Sequence, residues 1–331
     1  MMSVTQPSSD AAKLAAGALA DPALAQNAGP ETSRNDRHRR RPRLTGPRRS
    51  GPQTLVGRLL LGAVLVIFAL LFLYPFVWLL AASLKPRGEV FDNALIPKTL
   101  TFDNYAEVWN QLPLLNWLGN SLIIALLAAG LVALSSSVVA FGFAYFRFPG
   151  RGLLFGLVLA TMMLPGAVTM IPQYLIWKEL GLIGTWVPLF GMNLFGSAFY
   201  IFLQRQFYLG LPRELFEAAR LDGASNWQLF TRIAMPLSIP SFIIVFIFEF
   251  QASWNNLQAA LIYLNAGSVE QFTAPLGLAY AMTKYSPTNG GQGDYQYVMV
   301  AALLITLPML IIFSFGQRYF VEGIATQGRK G

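Results

Sequence analysis

LLLGAVLVIFALLFLYPFVWLLAASL, residues 59–84, contains no charged side chain. A helix needs roughly 20 apolar residues to cross the hydrocarbon core of a bilayer. This run exceeds that, and it exceeds the 7–15 apolar residues of a signal-peptide core. No small-residue cleavage site follows it. It reads as a retained membrane span, and that decides the class of fold: an all-α membrane protein.

Five more apolar runs follow. They lie at about 118–146, 153–177, 186–207, 237–264 and 295–320. The third is interrupted by Pro165 and Pro172. Each proline removes a backbone donor and crowds the preceding turn, so a kink or break is expected there. The prediction is six transmembrane helices over residues 55–331, after a polar segment at 1–54.

The composition agrees. Of the 331 residues, 54% are hydrophobic and 12% charged, against roughly 25% charged in an ordinary soluble domain. Cysteine is absent and the one histidine, His38, lies in the polar segment. Thiolate sites and disulfides are excluded, and so are histidine-based triads or metal sites in the spans. No metal site is expected. The chain carries no G-x-x-x-x-G-K-[ST] phosphate loop, and therefore no Walker-type ATP site of its own.

The net charge of +8 is concentrated at one end, where residues 34–49 read RNDRHRRRPRLTGPRR. Residues 1–54 have no sustained apolar face and read as a disordered basic tail that sets topology, not as a nucleic-acid contact. If the N-terminus is cytoplasmic, 19 of the 24 Lys and Arg residues fall in inner segments. The outer five are Lys85, Arg87, Lys98, Lys178 and Lys284. By the positive-inside bias both termini are then cytoplasmic. The outer loops are 85–117, whose FDNYAEVWNQLP carries interfacial aromatics, and 265–294, which ends in SPTNGGQGD.

One inner segment is unusually polar: LPRELFEAARLDGASNWQLFTRIAMP, 211–236. Pro212 suits the first helical position. Glu214 and Glu217 suit the positive end of a helix dipole. Ala218 and Ala219 give a smooth face for close approach, beside Asp222. Gly223 suits a left-handed helix stop. Ser225 with Gln228 completes a capping box that opens a second helix, and Trp227, Phe230 and Ile233 form its apolar stripe. Small residues flanked by acids at a turn fit a protein cleft better than burial in lipid.

The pattern EAA-R-L-DGA-S-x-x-x-x-F-x-x-I-x-x-P resembles the EAA motif of bacterial ABC importer permeases. NYAEVW, NSLIIA, YFRFPGRG, MMLPGAVTMIPQYLIWKELGLIGTW, APLGLA and QRYFVEGIATQGRKG are similar to the carbohydrate-uptake, maltose-type class. The resemblance covers about residue 59 to Gly331. It implies a multi-pass protein of the bacterial inner membrane that is not itself catalytic and binds no cofactor. It implies a second permease, a pair of ATPase subunits that hold ATP and Mg, an extracytoplasmic sugar-binding protein, and surrounding membrane lipid. On this resemblance Glu217 engages the ATPase, Ala218 and Ala219 allow close approach, and Asp222 and Gly223 shape the turn. The 265–294 loop is expected to reach the binding protein, and the tail at 321–331 to reach the ATPase pair. Gln327 departs from the small residue of that pattern, and Asn256 stands where the pattern commonly has an acid.

Polar groups in the spans are candidates for a translocation path. Glu249, Ser253 and Asn256 have i, i+4, i+7 spacing and share one face of the fifth span. Asn193 in the fourth span faces the path or joins two helices. Met162, Met163 and Pro165 form a gate or hinge, or an ordinary kinked helix. Two other transport readings stay open: an ABC permease for a different solute, and an ion-coupled secondary transporter, for which Glu249 is the one clear coupling group. An intramembrane enzyme has no clustered acids, Cys or membrane His to work with.

Overall fold

The computed structural model describes residues 55–92, 94–264, 267–287 and 293–327. The basic tail, residues 265–266 and 288–292 of the second outer loop, and 328–331 of the C-terminal tail therefore lie outside the described residues. Two units are distinguished, Met1–Gly62 and Ala63–Gly331. The described part of the first is the start of helix α1.

Every regular element among the described residues is helical. α1 is Leu55–Ser83. A short α2, Asp103–Gln111, precedes the 32-residue α3, Leu114–Tyr145. The third predicted span is two helices, α4 Arg151–Thr161 and α5 Gly166–Glu179. The fourth is α6 Val187–Phe190, a 3-10 turn Gly191–Phe195, and α7 Ala198–Leu209. α8, Arg213–Leu221, leads to α9 Asn226–Gln228, a π-helix Leu229–Ala234 and α10 Met235–Leu237. Then come α11 Ile239–Trp254, α12 Leu257–Tyr263, α13 Ala274–Lys284 and α14 Tyr295–Gln327.

Four of these stretches are long and apolar enough to cross a membrane: Gly57–Ser83, Leu114–Tyr145, Val187–Leu209 and Tyr295–Ser314. Two more qualify only as bent pairs. α4 and α5 meet at 94°, and Asn226–Leu237 meets α11 at 76°. The break between α4 and α5 falls at Pro165, which is extended (ψ 135°) and caps α5. Pro172, by contrast, sits inside α5 without ending it.

α3 organises the unit. Its buried positions include Trp117, Ser121, Ala125, Ala128, Ala129, Val132, Ala133, Ser136, Ser137, Ala140 and Ala144. That spacing of three and four residues marks one helical stripe. Its small side chains let neighbouring backbones come close. Ala125 and Ala129 meet Phe250 and Trp254 of α11. One turn further, Val132 and Ala133 meet Tyr200 of α7 and Val245 of α11. Ala140, Phe141 and Ala144 meet Ile201, Tyr208, Phe216 and Phe230.

The far end of α3 is pinned by a strap, 267–274. Trp117 Nε1 donates to Val269 O at 2.7 Å, and Asn120 Nδ2 to Glu270 O and Phe272 O at 2.7 and 3.0 Å. The Ala274 amide donates to Ser121 Oγ at 2.7 Å. Trp117 is fully buried, and a Cβ on Gly277 would stand 2.2 Å from its ring. Only glycine fits there.

The first outer loop is tied down by groups the sequence does not advertise. Asn104 Nδ2 donates to Ser83 O and Lys85 O at 3.0 and 2.9 Å. Tyr105 shares a 2.7 Å hydrogen bond with Ser83 Oγ, so this aromatic ties α2 to the end of α1. Buried Lys85 pairs with Asp92 at 2.7 Å, and Arg87 with Asp294 at 3.2 Å.

Helix α1 contrasts with α3. Across its most apolar window none of it is buried. Leu59, Leu65, Ile67, Leu70 and Phe72 are all more than half exposed. α4 and α5 leave Leu153, Leu157, Val168 and Ile171 open in the same way. Apolar side chains exposed all round a helix call for lipid or another protein.

Gly277→Ala is expected to lower stability by about 1–3 kcal/mol, because the Trp117 ring is held by its own hydrogen bond and has nowhere to go. Thermal unfolding of the purified chain in detergent measures this. The Lys85 hydrogen bond holds the Asp92 carboxyl below its ordinary value of 3.8. A lowered carboxylate pKa stabilises the fold at neutral pH, and the contribution is lost as pH falls through the lowered value. Asp92→Asn should therefore lower the melting temperature at pH 7. The gap to wild type should narrow below pH 3.8 and close in stronger acid.

Candidate functional site

The EAARLDGAS segment folds as a hairpin closed by its own bonds. Pro212 is extended (ψ 126°) and caps α8, one residue outside the helix it was expected to begin. Gly223 takes φ +83°. Its amide donates to Arg220 O at 3.0 Å, and the Ala224 amide to Ala219 O at 2.9 Å. These are the paired bonds of a Schellman stop, which satisfies the last carbonyls of a helix and needs a left-handed residue. The Ser225 amide donates to Gln228 Oε1 at 2.8 Å, and the Gln228 amide to Ser225 Oγ at 3.3 Å, completing the capping box.

The second arm departs from the expectation. After Gln228 the backbone widens into the π-helix Leu229–Ala234. A π turn shifts the angular register, so a stripe counted on an α-helix is displaced. Leu229 and Phe230 are buried, Ile233 is half-buried, and Trp227 is 65% exposed. Trp227, ahead of the π-helix, keeps its ring 5.5 Å from that of Phe230 while most of it stays exposed.

The hairpin is anchored through Phe216, which lies among Phe141, Tyr145 and Tyr208 at the ends of α3 and α7. Tyr208 hydroxyl joins Ser137 of α3 at 2.5 Å and accepts from Ser238 Oγ at 3.2 Å. One buried node therefore links α3, α7 and the start of α11. Glu217, Ala218 and Asp222 are exposed, and Ala219 is half-buried. Leu221 is 90% exposed. Leu221 and Trp227 are apolar side chains that the sequence reading did not single out as surface candidates. An apolar residue beside the glycine stop was the signal available for Leu221.

In the bundle, Glu249 and Asn193 are brought together. Asn193 Nδ2 donates to Glu249 Oε1 at 2.5 Å and to Ala128 O at 3.3 Å. Tyr200 hydroxyl is a second donor to the carboxylate. Ser135 Oγ donates to Asn193 O at 3.1 Å. The cluster forms where α6 gives way to the 3-10 turn, which points backbone and side chain of Asn193 at α3 and α11. A carboxylate in a span costs about 2.5–3.5 kcal/mol on insertion scales, so these donors offset a real penalty.

The predicted face of Glu249, Ser253 and Asn256 does not form. α11 ends at Trp254, and Asn256 Oδ1 accepts the Ala259 amide at 3.0 Å as the cap of α12. Two consecutive asparagines compete with the backbone for hydrogen bonds and stop the helix. Ser253 stays on α11, half-buried, a turn from Glu249. Met162 ends α4 and Met163 is 83% exposed beside the Pro165 break.

With this geometry in view the relatives are informative. The family model described as "Binding-protein-dependent transport system inner membrane component" matches residues 133–326. The chain is 35% identical over 281 residues to the arabinooligosaccharides transport system permease protein AraQ of Bacillus subtilis, covering 83% of this chain and 97% of that one. It is 33% identical to the lactose transport system permease protein LacG of Rhizobium radiobacter, covering 79% and 93%. A chain in the crystal structure of a bacterial ABC transporter that imports the acidic polysaccharide alginate shares the fold. Its TM-score is 0.67, at 22% identity over 80% of this chain and 96% of that one. The chain belongs to the family of inner-membrane components of binding-protein-dependent transport systems.

Asn193→Leu removes the donor from Glu249 and is expected to lower stability by about 1–3 kcal/mol. Glu249→Gln keeps an acceptor for Tyr200 and should change stability by less than about 1 kcal/mol. Denaturation of both variants in the same detergent checks the pair.

Proposed function

We propose that this chain is one of two permease subunits of an ATP-driven ABC importer for a sugar or oligosaccharide, with Glu217 and its neighbours as the handle for a separate ATPase. The observation that carries the reading is the hairpin itself, in a chain of this family. It is rigid by its own caps, is anchored to three spans, and leaves Glu217, Leu221 and Trp227 bare. The carbohydrate assignment is supported by what the relatives are named for.

The mechanism follows from the anchoring. ATP and Mg reside on the ATPase pair, whose closure displaces the docked hairpins. Phe216 passes the displacement to α3 and α7, and the π-helix passes it to α10 and α11. The spans then tilt between inward-facing and outward-facing arrangements, and the binding protein delivers substrate to the outward one. Ala218 and Ala219 let the ATPase surface approach the α8 backbone, while Asp222 and Gly223 hold the turn.

The bare apolar surfaces of α1 and of α4–α5 support a second permease and lipid as neighbours. The positive-inside count supports cytoplasmic termini and an inner-membrane location. Ser253, Asn193 and Glu249 remain the polar candidates for the path. Asn193 and Glu249 satisfy each other, so Ser253 is left the more available to substrate. Met162, Met163 and the Pro165 break form the proposed gate.

The test is co-purification in detergent from cells that express the whole transport operon. Wild type is expected to bring down an ATPase, a second permease and a sugar-binding protein. Glu217→Lys should lose the ATPase alone, consistent with a docking hot spot of about 2 kcal/mol or more. If the wild type, intact and active in uptake, carries no ATPase, the reading fails in favour of ion-coupled transport.

A further inference from the structure

A groove lies behind the hairpin, between α8 and the ends of α3 and α7. Its volume is about 500 Å³. Its floor is aromatic, with Phe141 and Phe216 buried. Its rim carries three guanidinium groups, Arg147, Arg213 and Arg220, and one carboxylate, Glu217. All four rim residues are exposed.

The charges of this rim are not used up internally. Among the described residues Arg147, Arg213 and Glu217 form no ion pair. Arg220 donates to Asn226 Oδ1 at 3.2 Å and lies 5.2 Å from the Tyr145 ring centre, so its charge too is uncompensated by an acid. Nearby arginines are differently engaged. Arg151 donates to Phe146 O at 3.0 Å, and Arg205 lies 4.2 Å over the Phe155 ring. The groove is therefore an excess of positive charge set above apolar rings.

Its height in the membrane identifies what fits. α3 and α7, both parts of apolar spans, end at Tyr145 and Leu209. The groove lies where those spans stop, and so at the level of lipid headgroups. Leu209, 42% exposed, lines it on the apolar side. A phosphodiester with acyl chains matches both parts: oxygens for the arginines, and hydrocarbon for the span ends. A free anion would leave the aromatic floor unused.

We infer that this groove binds the phosphate headgroup of an anionic phospholipid from the adjoining leaflet, seated between the end of α3 and α8. The assignment needs the membrane spans but not the ATPase, so it stands or falls separately from the transport reading. A lipid seated there braces the hairpin against the bundle through Arg213 and Arg220 on α8 and Arg147 beyond α3.

The test uses the full chain, purified in detergent and stripped of lipid. It is titrated with phosphatidylglycerol, phosphatidylcholine or inorganic phosphate and followed by native mass spectrometry. Phosphatidylglycerol is expected to bind in preference to phosphatidylcholine. Arg147→Gln and Arg213→Gln should each weaken it about fivefold, the roughly 1 kcal/mol of one basic residue at a membrane surface. Glu217→Gln should strengthen it, and Lys178→Gln, in a different part of the chain, should leave it unchanged. Opposite signs for the arginine and glutamate variants separate a charge effect from loss of fold. Equal retention of the two lipids, or unchanged binding in both arginine variants, overturns the inference. Displacement of the lipid by millimolar phosphate also overturns it, in favour of a free anion. Hydrogen exchange should slow in α8 when phosphatidylglycerol is added; no change there overturns the bracing role.

Discussion

The face of α3 that meets α7 and α11 is built from alanine and serine, and its neighbours depend on that. Lipid tails are as apolar as leucine, so burial alone does not hold spans together in a membrane. Close van der Waals contact does, and it requires small side chains in register. The stripe from Ser121 to Ala144 provides this over most of the helix. Each neighbour then fills the space with a large ring, Phe250 and Trp254 on one turn, Tyr200 on another, Tyr208 and Phe216 near the end. The strap that carries Val269 to Ala274 is fastened to the same helix.

Where the stripe admits polar groups, they join elements rather than merely occupy space. Ser136 Oγ accepts the Ser197 amide at the start of α7. Ser137 meets Tyr208, which in turn meets Ser238 before α11. Ser135 holds the Asn193 carbonyl. Three adjacent serines on one helix thereby reach the start of α7, its last turn and the broken segment before it. A carboxylate, Glu249, is tolerated within this frame because Asn193 and Tyr200 both aim donors at it. Helices linked in this way move together, which is what a hairpin anchored at one end of them would need.

The hairpin and the helix ends behind it divide the labour by burial. Phe216 is held in an aromatic nest. Leu221 and Trp227 are mostly exposed and present surface, Trp227 with one side against the Phe230 ring. Between the two lies the groove with three arginines. Hairpin, nest and groove adjoin at the same level, so whatever occupies the groove bears on the hairpin as directly as a partner in front of it.

Local chemistry was legible in the sequence wherever it depends on neighbours along the chain. The apolar runs, the break at Pro165, the left-handed Gly223 and the Ser225–Gln228 box are set by backbone sterics and by bonds spanning three or four residues. The family was legible for the same reason, since its motif is contiguous. Other features depended on groups distant in sequence and needed the tertiary structure. The capping role of Asn256 ended a face that spacing predicted, because helix continuity was assumed there. The backbone widens into a π turn at Leu229–Ala234, and no pattern in LFTRIA announces it. The meeting of Asn193 with Glu249, the burial of Lys85 and the 2.2 Å demand on Gly277 each join segments far apart in the chain. Sequence by itself determined where the apolar runs lie and what class of protein they make; the helices Asp103–Gln111 and Ala274–Lys284 inside the outer loops came only with the structure. Only the tertiary structure decided which polar groups satisfy one another, because that depends on packing distance and not on spacing.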